Sequence, residues 1–148
     1  MRQSKEQIHP VDPIWESIRK EARAKIEQEP LLASFFHDSV QVHDSLEECL
    51  SLQLARKLGS AMLAEKFLYD VMIDSMRSVG GIGVLIRSDL QAFRERDPAC
   101  NQYSMPLLYF KGFLTYMLSL HRRTRYINVS ALIYIYGKLF ATCRFEMK

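Results

Sequence analysis

Apolar side chains recur every three to four residues along most of the chain, which is the spacing of amphipathic helices and not of strands. The first such stretch follows Asp12-Pro13, where a capping carboxylate and a proline suited to the first turn predict a helix start. The pattern ends near Gln28, and Glu29-Pro30 begins a shorter helix that is expected to reach about His43. Two helices are therefore predicted in the first third of the chain.

Three more helices follow from similar signals. Ser45 stands three residues before a glutamate, which is the spacing of a capping box, and the helix that it begins is expected to end at Gly59. A fourth helix is predicted from about Leu63 to Arg77, where a glycine-rich stretch should break it. A fifth is predicted from about residue 84 to residue 96. The residues expected to point inward from that helix are Leu85, Ile86, Leu90 and Phe93.

The remainder of the chain contains a turn, one more clear helix and an ambiguous segment. Asp97-Pro98 predicts a turn, and Ser104 is expected to cap a sixth helix whose apolar positions continue to Met117. Residues 129–143 are apolar at most positions, and their pattern leaves helix and strand open. The fold class predicted from these patterns is all-α, a compact bundle of about six to seven amphipathic helices.

Composition and charge exclude several classes of protein. Apolar residues make up 48% of the chain and charged residues 25%, which is typical of a folded domain. The net charge of +3 is too small to indicate a nucleic-acid partner, although basic residues dominate the stretch after His121. No apolar run reaches membrane-spanning length and the N-terminus does not resemble a signal peptide, so we expect no membrane partner and a cytoplasmic location.

The residues that could carry chemistry give weak local signals. Cys49, Cys100 and Cys143 are far apart and lack the spacing of zinc ligands or of a disulfide framework. His37 and His43 form no known metal motif, so no metal site is predicted. Asp97 is the strongest candidate for a functional residue, but from the dipeptide alone a turn-forming role is at least as good an interpretation.

A longer motif changes the interpretation of Asp97. The stretch DLQAFRERDPACNQYSMPLLYFKGF, residues 89–113, resembles the signature of the N-terminal helical domain of bacterial-type serine O-acetyltransferases. Upstream, IWESIRKEARAKIEQEPLLASFFHDSV and LARKLGS resemble the opening helices and the third helix of the same domain. The likeness covers about Ile14 to Phe113. It implies an N-terminal extension at 1–11, the helical domain at 12–113, and a divergent segment at 114–148 that is expected to be helical.

The resemblance implies an activity and a site. Members of this family transfer an acetyl group from acetyl-CoA to L-serine, giving O-acetylserine for cysteine biosynthesis, and L-cysteine inhibits them by occupying the serine pocket. Matching the motif makes Asp97 a substrate-binding residue that holds the amino acid's ammonium group, with Pro98 fixing the turn. The family's catalytic histidine and coenzyme A groove belong to a hexapeptide β-helix. We find no such repeats in this chain, so no catalytic or cofactor-binding residue is assigned and no cofactor is expected.

Two hypotheses about function follow. The first is that the chain is a serine O-acetyltransferase truncated to its helical domain and inactive alone. The alternative is a non-catalytic helical module, derived from that family, that serves oligomerisation or interaction. Both predict a homo-oligomer formed through helical domains. Trp15, Phe35 and Phe36 are candidates for that contact, although burial in the core of one chain is an equally good interpretation for each.

Overall fold

Seven α-helices and no strand are found in the part of the chain that the structure describes. The computed structural model describes residues 11–61, 63–78 and 80–122, with side chains through 117. The helices are Pro13–Gln28 (α1), Ala33–Phe36 (α2), Leu46–Leu58 (α3), Glu65–Ser78 (α4), Ile82–Arg96 (α5), Ser104–Tyr109 (α6) and Lys111–Arg122 (α7). The all-α prediction is confirmed. The ambiguous segment at 129–143 lies outside the described residues.

Helix α1 begins and ends where the sequence predicts. The Asp12 side chain accepts a hydrogen bond from the backbone N–H of Trp15 at 3.2 Å, which satisfies one free donor of the first turn. Trp15, Ile18 and Ala22 form its buried stripe. The predicted helix after residue 29 is present in three parts, with a 3₁₀ turn at Pro30–Leu32 before α2 and a π turn at His37–Gln41 after it.

The aromatic residues of this N-terminal region divide between core and surface. Trp15 and Phe36 are 3% and 2% exposed, so they pack inside the domain and are not available for a subunit contact. Phe35 is 42% exposed. Of the two interpretations left open for these residues, burial in the core holds for Trp15 and Phe36, which both belong to the main cluster of buried side chains.

Helices α3 and α4 pack along each other and contribute much of the core. Ser45 caps α3 by accepting from the N–H of Glu48 at 3.3 Å, but the Glu48 carboxylate accepts from the N–H of Asp44, so only half of the predicted capping box forms. Helix α4 spans residues 65–78, close to its prediction. The large side chains that are fully buried are Ile18, Leu46, Leu50, Leu54, Leu58, Met72, Ile86, Leu90, Leu107, Phe113 and Met117.

Helix α5 starts two residues earlier than predicted. Gly81 precedes it with a φ of 83°, a left-handed conformation that glycine adopts without steric cost. Ile82, Ile86 and Leu90 lie four residues apart and form the inward face. Leu85, which was predicted to point inward, is 43% exposed because it lies about 100° away from that stripe around the helix.

The predicted sixth helix is two helices, α6 and α7. Phe110 interrupts them with an extended ψ of 102°. Ser104 does not cap α6, since it is the first helical residue and is buried. The cap comes from Glu21 on α1, whose carboxylate accepts from the N–H groups of Tyr103 and Ser104 at 3.1 and 2.8 Å. Helix α7 continues past Phe113 without a break, and the domain division there stays a prediction.

None of the helices in the described part of the chain combines the length and the apolar character that crossing a bilayer requires.

Candidate functional site

Asp97 lies at the C-terminal end of α5, in the turn that the sequence predicts. Its backbone N–H bonds to the carbonyl of Phe93 at 3.0 Å, and its own carbonyl accepts from the N–H of Cys100 at 2.9 Å. Its side-chain Oδ1 accepts from the N–H of Ala99 at 2.9 Å, so the carboxylate is fixed to its own loop. Pro98 occupies the turn position for which the φ of proline is suited. This geometry commits Oδ1 to the turn.

The two predicted site residues line one open pocket of about 670 Å³, which is within the size range of small-molecule sites. Its lining consists of Asp89, Ala92, Phe93, Arg96, Asp97, Pro98 and Tyr116. The last turns of α5 form one wall, the Asp97 turn forms the rim, and Tyr116 reaches the pocket from α7. An apolar wall with two carboxylates and one guanidinium suits a small polar ligand that carries a positive charge.

Asp89 also belongs to this pocket, although neither the local pattern nor the family resemblance predicted a role for it. Its Oδ2 is buried and has no hydrogen-bond partner among the described residues. Burial raises the pKa of the Asp89 carboxyl above its usual 3.8, and hydrogen bonding to Tyr116 opposes the rise. The sequence does contain a signal that places Asp89 near the Asp97 turn. Asp89, Phe93 and Asp97 are spaced four residues apart and therefore lie on one side of a helix.

The aromatic wall of the pocket packs against α7 and against the residue just before it. The ring of Phe93 packs edge-on against Phe113, with ring centroids 5.3 Å apart, and lies 6.4 Å from Phe110. On the far side of the turn, the guanidinium of Arg94 sits 4.4 Å from the ring centroid of Tyr103. Both contacts tie the end of α5 to the segment that follows the turn. The pocket wall is therefore supported by packing on either side of Asp97.

The other end of α5 carries a charged cluster of a different kind. Arg87 donates from Nε to Oδ2 of Asp12 at 2.9 Å, and from Nη1 to Oε1 of Glu47 at 2.6 Å and to the carbonyl of Gly83 at 2.8 Å. Burial would lower the pKa of Arg87, but the bonds to Glu47 and Asp12 outweigh it and raise the pKa. This cluster joins the start of α1 to α3 and α5 and uses the guanidinium and both carboxylates in doing so, which favours a structural role.

Burial alone would raise the pKa of Asp12, but the bonds from Arg87 and from the α1 amide of Trp15 outweigh it and leave the pKa below 3.8. The carboxylate therefore stays ionised at neutral pH. It serves the Arg87 cluster and the cap of α1 at once.

The remaining sequence candidates do not converge on a site. Within the described residues, no three histidine, cysteine or acidic side chains are placed to hold a metal ion. Cys49 is buried, its Sγ donates to the carbonyl of Ser39 at 3.1 Å, and burial raises its pKa to about 12, so its thiol stays protonated. Gly81 forms a turn between helices.

Comparison with known proteins decides the family. The family model for the N-terminal region of serine acetyltransferase matches residues 14–117. The chain belongs to the serine acetyltransferase family. The match contains the Asp97 turn, the pocket lining as far as Tyr116 and the Arg87 cluster apart from Asp12. It also reaches four residues beyond Phe113, where the motif resemblance was predicted to end.

Relatives in this family come from plants and bacteria. The probable serine acetyltransferase 2 of rice, Oryza sativa subsp. japonica, is 48% identical over 102 residues, which are 69% of this chain and 29% of the relative. The serine acetyltransferase of Haemophilus influenzae is 39% identical over 114 residues, which are 77% of this chain and 42% of the relative. This chain therefore spans less than half the length of these two relatives.

Solved structures of serine acetyltransferases share the fold. The Neisseria gonorrhoeae enzyme in complex with serine superposes with a TM-score of 0.80 at 34% identity, covering 90% of this chain and 56% of that one. The soybean enzyme complexed with serine has a TM-score of 0.75 at 37% identity, covering 85% and 53%. Both structures contain this helical bundle within a chain of roughly twice the aligned length.

Proposed function

We propose that this chain supplies the helical wall of a serine-binding pocket for acetyl transfer from acetyl-CoA to L-serine. The observation that carries the proposal is the position of Asp97, whose carboxylate is fixed by its own turn at the rim of an open pocket. Since Oδ1 is committed to the N–H of Ala99, Oδ2 is the oxygen that accepts from the ammonium group of the amino acid. Pro98 holds the turn in which this happens.

Two further observations support serine as the ligand. The similar enzymes from Neisseria gonorrhoeae and soybean were both solved with serine. Another similar serine acetyltransferase was solved with cysteine, which differs from serine by one atom. A pocket with a fixed carboxylate and an apolar wall accepts the ammonium and the short side chain of either amino acid. We therefore propose that L-cysteine competes with L-serine for Asp97.

The reaction needs groups that this pocket does not contain. The serine hydroxyl is a weak nucleophile at neutral pH, so a general base must take its proton as it attacks the thioester carbonyl. No histidine is among the residues that line the pocket. We propose that the base and the coenzyme A site come from the part of the family's proteins that lies beyond the matched region. The expected result is binding of L-serine without turnover by this chain alone.

The decisive experiment restores a complete active site. Residues 1–117 are joined to the portion of the Haemophilus influenzae relative that follows its matching region, and L-serine-dependent loss of acetyl-CoA is measured. Asp97→Asn is expected to raise the KM for L-serine about tenfold or more, because a charge-assisted hydrogen bond is lost. Glu95→Gln is the matched control, since Glu95 is exposed and its carboxylate bonds only to Gln91 in the described structure. An unchanged KM in Asp97→Asn would reduce Asp97 to a turn former.

A second function, assembly through the helical domain, has its own observation. Leu31 is 90% exposed, and Leu32, Phe35 and Val42 on the same segment are between 42% and 52% exposed. So much exposed apolar surface in one short segment favours a contact with a second copy of the chain. We propose a homo-oligomer in the cytoplasm built on this surface.

Sedimentation velocity tests the assembly. Leu31→Glu should shift the full chain toward monomer, because the charge would have to be buried at the contact. Val84→Glu is the control, since Val84 is 71% exposed but lies on α5, away from this segment. Equal sedimentation of the two variants and the unmodified chain would place the contact elsewhere.

A further inference from the structure

Arg96 is the positively charged side chain among the residues that line the pocket. It is the last residue of α5, directly before Asp97, and it is exposed to solvent. The two other arginines of α5 are used by the fold, since Arg87 pairs with two carboxylates and Arg94 packs over an aromatic ring. The guanidinium of Arg96 makes no hydrogen bond or ion pair with any other residue that the structure describes. Its five N–H donors are therefore open to a ligand.

The charged side chains of the pocket differ in how far the fold uses them. Asp89 bonds to Tyr116, and its Oδ2 is buried. Oδ1 of Asp97 accepts from the N–H of Ala99. No ion pair joins Arg96 to either aspartate in the described structure. Oδ2 of Asp97 and the guanidinium of Arg96 are thus a negative and a positive group in one pocket that do not neutralise each other, and each can bind a ligand group of opposite charge.

The positions of these two groups match the two charges of an α-amino acid. Arg96 and Asp97 are consecutive, so their Cα atoms lie about 3.8 Å apart. In an α-amino acid a single carbon atom separates the ammonium nitrogen from the carboxylate carbon, so the two charges of the ligand are also close neighbours. A guanidinium is suited to the carboxylate because it can donate two parallel N–H···O bonds to its two oxygens.

We propose that, in this chain, Arg96 binds the carboxylate of the amino acid whose ammonium group binds Asp97. This inference rests on the proposed function, since it concerns the same pocket. It makes Arg96 a specificity-determining residue, through which the pocket selects zwitterionic α-amino acids over amines that lack a carboxylate. An arginine in the last turn of a helix also stabilises that helix through its dipole. A test must therefore separate ligand binding from stability.

An NMR titration of the full 148-residue chain compares three small probes. L-Serine carries both charges, L-serinamide has a neutral amide in place of the carboxylate, and 3-hydroxypropionate lacks the ammonium. The titration is carried out at about pH 6, where α-amino groups are protonated. L-Serine is expected to shift the carboxyl ¹³C resonance of Asp97 and the Nε–H resonance of Arg96. L-Serinamide should shift only the first of these and 3-hydroxypropionate only the second.

Variants then give the size of the effect. Arg96→Gln should weaken binding of L-serine by about fivefold to tenfold and change the affinity for L-serinamide by less than about twofold. Arg96→Lys keeps the charge without the planar fork and should recover part of the loss. Arg23→Gln is the matched control, because Arg23 is exposed on α1 and does not line the pocket. Equal weakening of both ligands by Arg96→Gln would show that Arg96 supports the pocket itself, and would overturn the inference.

The other outcomes separate the two proposals. If Asp97→Asn weakens binding of L-serine and L-serinamide but Arg96→Gln changes neither affinity, the inference about Arg96 is overturned and the proposed function stands. If 3-hydroxypropionate shifts Arg96 and neither L-serine nor L-serinamide shifts Asp97, Arg96 binds carboxylates but the proposal of a serine pocket fails. If none of the probes shifts either resonance, both proposals fail. A shift of Arg96 by L-serinamide as large as that by L-serine would also overturn the inference.

Discussion

Arg87 and Asp89 lie two residues apart on α5, yet the fold pairs the charge of Arg87 fully and that of Asp89 only in part. Arg87 donates to two carboxylates and a backbone carbonyl that belong to three different parts of the chain. Asp89 keeps a buried oxygen without a partner in the described residues. Both side chains are partly buried, so exposure does not distinguish them.

The difference lies in how much hydrogen-bonding capacity the fold uses. At Arg87 the donors are consumed by α1, α3 and α5, so the charge holds helices together and has little left for a ligand. At Asp89 one buried oxygen has no partner among the described residues, in a side chain that belongs to the pocket wall. A charged residue whose bonds are all used by the fold is expected to stabilise it, and one that keeps a buried oxygen unpaired is expected to cost stability.

Removal of the Arg87 guanidinium should destabilise the fold more than any other change considered below. Arg87→Leu would leave Asp12 and Glu47 as partly buried carboxylates without their cation. We expect a loss of about 2 kcal/mol in the free energy of unfolding, between the values for exposed and fully buried ion pairs. Urea denaturation followed by circular dichroism measures it.

The control for this change is an ion pair without burial. Lys66 and Asp70 pair on α4 at 3.0 Å, with the lysine side chain 83% exposed. Lys66→Ala should cost less than about 0.5 kcal/mol. Equal losses in Arg87→Leu and Lys66→Ala would contradict a structural role for the buried cluster.

A smaller loss is expected from Glu21, a carboxylate whose bonds are used by the backbone. Glu21→Ala would leave the first N–H groups of α6 without their acceptor, at an expected cost of about 1–1.5 kcal/mol by analogy with helix caps. Hydrogen exchange at the amides of Tyr103 and Ser104 should accelerate more than exchange in α3. Exchange rates that are unchanged at those two amides would show that Glu21 does not hold α6.

Glu21 also marks the limit of prediction from sequence. The start of α1 at Asp12 and the break before α5 are local events, set by a cap and by glycine, and both were predicted. The cap of α6 comes from a residue 83 positions before Ser104, so local pattern pointed to the wrong group. The break at Phe110 was missed because its apolar neighbours continue a helical spacing on both sides.

The same distinction applies to the pocket. Asp97 was found through its turn and through family resemblance, since both are properties of a continuous stretch. Asp89 shares that stretch, but its role depends on burial and on Tyr116 of α7, which contribute only after folding. Leu85 was wrongly predicted to point inward because the apolar periodicity fits two adjacent faces of α5. In the structure the face that carries Ile82 is the buried one.

Gly83 lies against the ion pair of Arg87 and Glu47. A Cβ at this position would lie 2.6 Å from Oε1 of Glu47 and 3.0 Å from Nη1 of Arg87, so Gly83→Ala should push the ion pair apart. The lost bonds outweigh the gain of alanine over glycine in a helix, and a net loss of about 1 kcal/mol is expected.

Gly112→Ala is the matched control, because nothing lies within 4 Å of its added Cβ and it sits in the first turn of α7. It should be neutral or slightly stabilising in the same urea titration. A stabilising Gly83→Ala would mean that the cluster rearranges without cost.

The smallest effect, and the one opposite in sign, is expected at Asp89. Asp89→Asn removes a charge that lacks a full set of partners, so the variant should be as stable as the unmodified chain or more stable by up to about 1 kcal/mol at neutral pH. Because the folded-state pKa is raised, the aspartate favours the fold most below 3.8, and this contribution is lost as the pH rises through the raised value. The advantage of the variant should therefore grow between about pH 4 and pH 7.

Urea titrations of both proteins at several pH values in that range measure the difference, with Glu95→Gln as the exposed control on the same helix. A variant that is clearly less stable at neutral pH would mean that the Asp89 charge is satisfied by the fold, as the charge of Arg87 is. The contrast between Arg87 and Asp89 would then no longer hold.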